Sequence, residues 1–304
     1  MDDTDADTFL ISTEFAYLLM RFGFAAKGYR ALRRKGFALK FHLFLRPQTD
    51  FAVSAYPEFL RNLLVPQGFR PFVDRNFMPF ARDYGGIIWR LAAISDEPVS
   101  VLPYNRVARD LGIWWPLLES AGLSLSPVDR QSFLTPGPVN ESLGPVGVSA
   151  LRVALRRVDR RNLVHRWGLR RAVRKTVLQV TGNFPSESGR FNPMTRKYRA
   201  QLWERCRDLN DPIARAHWGE PWDDIFADEL SLLPRFSVYR RQRDDADSER
   251  ARQHDRMARR LIRRINEASA QISAARSGVN LVRWFGAPVD RLADRVMKQI
   301  VRGH

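Results

Sequence analysis

Phe44-Leu45-Arg46-Pro47-Gln48-Thr49-Asp50-Phe51-Ala52-Val53-Ser54-Ala55-Tyr56 is the stretch of the chain that decides the predicted fold. The run that leads into it, residues 37–45, is rich in Phe and Leu and is typical of a β-strand. Pro47 ends this run, because proline cannot donate a hydrogen bond to a neighbouring strand. The residues that follow are expected to form a helix. The stretch therefore predicts a strand-to-helix junction, with Arg46 at the carboxyl end of the strand.

Two further apolar runs extend this pattern along the chain. Residues 8–12 and 99–102 predict strands, and residues 14–35 predict a helix from the helical spacing of their apolar side chains. Strands separated by helices favour the α/β class, with a parallel sheet and crossover helices. Ligands of such sheets bind at the carboxyl ends of the strands. This rule places Arg46 where a binding site is expected.

The second half of the chain alternates loops and basic helical stretches. Residues 124–147 and 182–190 are rich in Ser, Pro and Gly and predict loops, whereas residues 148–175 are rich in arginine. A helix is expected at about 195–210, and one or two long helices from about residue 244 onward. We expect two units: an α/β domain over residues 1–230 and a basic helical C-terminal extension over residues 231–304.

The composition limits the class of protein. The 304 residues contain 50 Lys and Arg against 33 Asp and Glu, a net charge of +17 that attracts anionic partners. The single cysteine, Cys206, cannot form an intramolecular disulfide, which fits a reducing compartment. The acidic start, residues 1–7, is unlike a secretory signal, and no run reaches the roughly 20 apolar residues of a membrane span. These features predict a cytoplasmic protein, with peripheral contact to a membrane left open.

Arg46 and Ser54 form the pair with the clearest chemistry. A guanidinium holds a phosphate through paired, charge-assisted hydrogen bonds. A serine in the early turns of the next helix adds a hydroxyl donor, and a helix N-terminus favours the same negative charge. Their spacing of eight residues across a strand-to-helix junction therefore predicts an anion site.

The same stretch resembles the 3′-phosphate-binding motif of sulfotransferases, in which a strand delivers an arginine and a serine follows eight residues later. The sequence motifs Leu45-Arg46-x-Gln48 and Ser54-Ala55-Tyr56 resemble those of a bacterial group of sulfotransferase-related proteins linked to cell-surface glycans. Residues 11–14, 140–143 and 198–218 also resemble that group. The resemblance runs, with gaps, from about Thr8 to Phe226, and the order of its motifs carries it.

This resemblance implies a P-loop-type parallel sheet and a sulfuryl transfer from 3′-phosphoadenosine 5′-phosphosulfate to a hydroxyl group, on a glycan. Arg46 and Ser54 would hold the 3′-phosphate of this donor substrate, and no metal is implied. Glu14 lies where some sulfotransferases place the general base that takes the proton of the acceptor. The alternative for Glu14 is a carboxylate that interacts with the dipole of the helix that it starts.

The chain departs from the family at its beginning. Sulfotransferases normally open with a P-loop, whose backbone N–H groups and lysine hold the 5′-phosphosulfate. No such turn precedes Thr8, and no G-x-x-x-x-G-K-[ST] motif occurs in the sequence. We therefore expect an N-terminally truncated fold, from a fragment or from a degenerate relative, with little or no sulfuryl transfer by residues 1–304 alone.

Other functions stay open. A non-catalytic remnant that keeps nucleotide or glycan binding is one alternative. A basic protein that binds a membrane or another polyanion through the C-terminal helices is a second. Nucleic acid is disfavoured, because the arginine-rich run lacks repeated aromatic residues and known recognition motifs. His42 is expected to be a hydrogen-bonded core residue, and no cluster of Cys, His and Asp has the spacing of metal ligands.

Overall fold

The computed structural model describes residues 29–30, 32–62, 65–110, 112–123, 143–158, 176–177, 179–180, 191–231, 236–238 and 249–276. Several predictions lie outside these residues. They are the strand at 8–12, most of the helix at 14–35, most of the loop at 124–147 and the whole loop at 182–190.

Two short parallel strands form the sheet of the described structure. Strand β1 (His42–Leu45) pairs with strand β2 (Ser100–Pro103), with His42 opposite Ser100 and Leu45 opposite Pro103. The chain between them is helical, as a parallel connection requires. Described residues are thus mostly helical with a small parallel sheet, which agrees with the predicted α/β class at this coarse level.

Strand β1 is shorter than the predicted strand at 37–45. The backbone of Leu39 bonds to the loop before β2 instead of to a strand: its N–H donates to the Asp96 carboxylate (2.8 Å), and its carbonyl accepts from the Asp96 N–H (2.8 Å). The ladder therefore starts only after this loop contact. At the other end, Leu45 is buried and its carbonyl accepts from the Tyr104 N–H (2.6 Å).

Helices fill the connection between the two strands and the segment after β2. They are α1 (Gln48–Arg61), α2 (Phe69–Phe72), a π-helical turn (Val73–Phe77), α3 (Met78–Ala81), α4 (Tyr84–Ala92), α5 (Arg106–Asp110) and α6 (Trp114–Ser120). Helix α1 starts directly after Pro47 and buries Ala52, Tyr56 and Leu60 along one face. This apolar face fixes the orientation of α1 against the larger hydrophobic core.

Most of the rest of the described chain is also helical. Its helices are α7 (Pro145–Arg157), α8 (Arg196–Trp218), α9 (Trp222–Ile225), α10 (Ala227–Ser231) and α11 (Glu249–Arg276). Helix α8 starts as predicted, where the Thr195 hydroxyl accepts from the Tyr198 N–H (3.2 Å). It runs past the predicted end at residue 210 and stops at Gly219, whose positive φ of 80° suits glycine.

Helix α11 lies against α7, and both join the core around α1. Met257, Leu261 and Ile265 of α11 are buried in one cluster with Leu151 of α7 and Tyr56 of α1. Because its apolar side is packed in this way, the arginines of α11 lie mainly on the exposed side. The boundary predicted near residue 230 stays a prediction. Among the helices described, none has the length and apolarity to cross a bilayer.

Candidate anion site at the carboxyl end of strand β1

Arg46 and Ser54 lie next to each other at the carboxyl end of β1. The Nη2 atom of Arg46 donates a hydrogen bond to Ser54 Oγ across 2.5 Å. Ser54 lies on the second turn of α1, is exposed, and donates its hydroxyl to the carbonyl of Phe51 (3.0 Å). The structure therefore brings the two predicted residues together on one side of the strand-to-helix junction.

The backbone and the side chain of Arg46 are both held in place. The Tyr84 hydroxyl of α4 donates to the Arg46 carbonyl (2.8 Å). The guanidinium carbon lies 4.5 Å from the centroid of the Phe51 ring, a cation–π arrangement. A planar cation and a hydroxyl on adjacent side chains are a donor set that suits a phosphate oxygen.

Asp50 lies in the first turn of α1, one turn before Ser54, and it is paired. Arg199 of α8 donates from Nη1 to Asp50 Oδ1 (3.0 Å) and from Nη2 to the backbone carbonyl of Glu229 (2.6 Å). The Arg199 side chain is only 6% exposed. Arg199 therefore compensates the negative charge that Asp50 brings to the first turn of α1, near the expected anion site.

Glu229 extends this group of charges on the other side of Arg199. Its carboxylate is 4% exposed and accepts from Arg109 Nη2 (2.8 Å), an arginine that follows β2. Glu229 Oε2 is buried and has no hydrogen-bond partner among the described residues. Burial, followed by the charge of Asp50, raises the pKa of Glu229 above its ordinary value of 4.5, against the opposing effects of hydrogen bonds and Arg109.

A second buried polar pair joins α1 to α8. Gln48 Nε2 donates to Asn210 Oδ1 (3.1 Å), and Asn210 Nδ2 donates to Gln48 Oε1 (2.8 Å). Gln48 Nε2 also donates to the carbonyl of Ala81 (3.3 Å). Gln48 and Asn210 belong to separate sequence motifs, 162 positions apart, and they are direct hydrogen-bond partners in the structure. The pair anchors the first turn of α1, on which the geometry of the anion site depends.

Sequence reasoning missed the roles of Asp50, Arg199 and Glu229. A signal for Arg199 exists, because it precedes the apolar Trp203 and Cys206 by 4 and 7 positions, which places all three on one side of a helix. An arginine in line with such an apolar face needs an acidic or carbonyl partner. The identity of that partner, 149 residues away, has no sequence signal.

The remaining candidates are placed as follows. Glu14 lies outside the described residues. His42 Nδ1 lies 2.7 Å from Ser120 Oγ in a hydrogen bond, and burial lowers the pKa of His42. Burial also raises the pKa of the Cys206 thiol to about 11, which disfavours the reactive thiolate. Within the described ranges, no three His, Cys, Asp or Glu side chains are grouped to hold a metal ion.

No protein family matches the chain. A search of curated proteins and a search of solved structures likewise find no match.

The raised pKa of Glu229 predicts a pH dependence of stability. In the folded state Glu229 keeps its proton to higher pH than in the unfolded state. Its contribution to folding is therefore complete below about pH 4.5 and is lost as the pH rises through the folded-state pKa. The free energy of unfolding of the wild type, minus that of Glu229→Gln, should fall in urea titrations as the pH rises above about 4.5. Glu204→Gln, at an exposed position of α8, is the control and should show a smaller change. A difference for Glu229→Gln that is constant with pH would contradict the prediction.

Proposed function

We propose that the chain has a sulfotransferase-like domain of the P-loop type and binds the 3′-phosphate of 3′-phosphoadenosine 5′-phosphosulfate with Arg46 and Ser54. The observation that carries the proposal is the 2.5 Å contact between Arg46 Nη2 and Ser54 Oγ beside the carboxyl end of a parallel strand. Ligands of open α/β sheets bind at this end of the strands. The motif resemblance adds the nature of the ligand.

The chemistry of the pair supports a phosphate over a less charged group. Arg46 is cationic at any pH near neutral, and Ser54 supplies a neutral donor beside it. A phosphate oxygen between them would accept from both. It would replace the contact between Arg46 and Ser54, and the Ser54 hydroxyl would turn from the Phe51 carbonyl to the phosphate. Asp50 does not oppose the anion at full strength, because Arg199 is its ion-pair partner.

With a P-loop supplied, which residues 1–304 lack, the proposed reaction moves a sulfuryl group from the phosphate oxygen of the donor to a hydroxyl oxygen of the acceptor, with a glycan as the proposed acceptor class. The S–O bond to the donor breaks, adenosine 3′,5′-bisphosphate leaves, and the hydroxyl proton passes to a base. Glu14 is the proposed base. A non-catalytic remnant would bind the bisphosphate in the same way without this transfer.

The test is the nucleotide preference of the purified chain. Adenosine 3′,5′-bisphosphate should bind at least tenfold more tightly than adenosine 5′-monophosphate in calorimetry, because a hydrogen bond to a charged group contributes about 1.5–3 kcal/mol. Adenosine 5′-diphosphate is the matched control, since it has two phosphates and no 3′-phosphate. Equal affinity for the bisphosphate and the diphosphate would contradict the proposal.

A further inference from the structure

The aromatic ring next to the anion site belongs to a chain of contacts that reaches the core. Phe51 lies on α1, and its ring centroid is 4.5 Å from the guanidinium carbon of Arg46. The ring of Phe51 also meets the ring of Phe77 edge to face, with centroids 5.0 Å apart and planes at 81°. Phe51 therefore contacts the cation and a fixed aromatic neighbour at the same time.

Phe77 is fixed because of its place in the fold. It ends the π-helical turn Val73–Phe77, is 2% exposed, and packs against Phe72 with ring centroids 5.9 Å apart. Single π-helical turns are rare and are found frequently at functional sites. Here the turn places the Phe77 ring in edge-to-face contact with the ring of Phe51.

Stacking on a ring has a definite effect on an arginine that must receive an anion. A guanidinium with one face on an aromatic ring keeps its N–H groups free to donate in its own plane. Arg46 shows this arrangement, because its Nη2 donates to Ser54 while the guanidinium lies over the ring. A long side chain that is already ordered also loses less conformational entropy when it binds.

We propose that Phe51 is a positioning residue for the anion site: it holds the guanidinium of Arg46 so that the N–H edge, beside Ser54, meets the 3′-phosphate. This inference rests on the proposed function. It assigns a role to the aromatic ring at this position, whereas the motif itself requires only the arginine and the serine.

The first test compares Phe51→Leu with Phe51→Tyr. Leucine removes the ring and keeps an apolar side chain, and tyrosine keeps the ring. Phe51→Leu should reduce the preference for adenosine 3′,5′-bisphosphate over adenosine 5′-diphosphate by about three- to tenfold, the range that a cation–π contact supports. Phe51→Tyr should restore it. Because the preference is a ratio measured on one protein, a general loss of stability does not change it. An unchanged ratio in Phe51→Leu would overturn the inference.

The second test needs no nucleotide. The face of an aromatic ring shields nearby protons, so the Nε–Hε signal of Arg46 in ¹⁵N-labelled protein should lie upfield in the wild type and in Phe51→Tyr. It should move downfield in Phe51→Leu, and the signal is assigned by its loss in Arg46→Ala. If the wild type does not prefer the bisphosphate, the proposed function fails and this signal alone decides the positioning role. The same Arg46 shift in all three proteins would overturn that role.

Discussion

Arg46→Ala should lower the affinity for adenosine 3′,5′-bisphosphate by at least tenfold and leave the affinity for adenosine 5′-monophosphate nearly unchanged. The substitution removes the one cation that contacts Ser54 at the carboxyl end of β1 in the described structure. A charge-assisted hydrogen bond contributes about 1.5–3 kcal/mol, which corresponds to roughly 10- to 150-fold in affinity. Both affinities are measured by calorimetry at one salt concentration, because ionic strength screens exposed charges.

Lys40→Ala is the matched control for this experiment. Lys40 precedes β1 at its other end and pairs with Glu97 (3.0 Å), so its loss lowers the net charge by the same amount away from the site. It should leave both affinities unchanged within about twofold. Ser54→Ala should cause a smaller loss than Arg46→Ala, since it removes a neutral donor worth about 0.5–1.5 kcal/mol. Equal losses in Arg46→Ala and Lys40→Ala would show that net charge, and not the site, attracts the nucleotide.

Arg199→Met should lower the free energy of unfolding by about 3 kcal/mol, at the lower end of the cost of breaking a buried ion pair. The methionine keeps most of the volume but leaves the carboxylate of Asp50 and the carbonyl of Glu229 without their donor. The side chain of Asp50 is 24% exposed, so water recovers part of the loss. The measurement is urea unfolding of both proteins with a common m-value.

Arg207→Met is the control for Arg199→Met. Arg207 lies on the same helix α8 and pairs with Glu204 (2.6 Å) at an exposed position. Its loss should change stability by no more than about 0.5 kcal/mol. Adding Asp50→Asn to Arg199→Met should recover part of the stability, because it removes the charge that was left without a partner. A loss below about 1 kcal/mol in Arg199→Met would contradict the buried role of this ion pair.

The junction around Arg46 was predictable because local rules determine it. A β-rich run that ends at Pro47 and a helix with Ser54 on its second turn follow from neighbouring residues alone, and so does the N-cap of α8 at Thr195. The identity of the anion at this site stays a prediction. The predicted extent of β1 was wrong. The backbone N–H of Leu39 donates to the side chain of the distant residue Asp96, and not to a neighbouring strand.

The charged partners around Asp50 could not be predicted for a related reason. Arg199 and Glu229 reach Asp50 only after the chain has folded around α1, and no periodicity in a single sequence encodes such pairs. The stacking of Arg46 on the ring of Phe51 was also not predicted from the sequence. In the sequence, Phe51 is one more apolar residue on a helix, and its role depends on where the π-helical turn places Phe77.

The reciprocal amide pair between Gln48 and Asn210 has a consequence for the synthesis of the protein. Ribosomes add about 5–20 residues per second, so the 162 residues that separate the pair take roughly 8–32 s to make. Throughout that interval the emerging helix α1 lacks Asn210 for its first turn, and for most of it Asp50 also lacks Arg199. Nascent chains that stop before residue 199 should consequently be cleaved by protease within 48–61, a segment that is protected once α8 has left the ribosome.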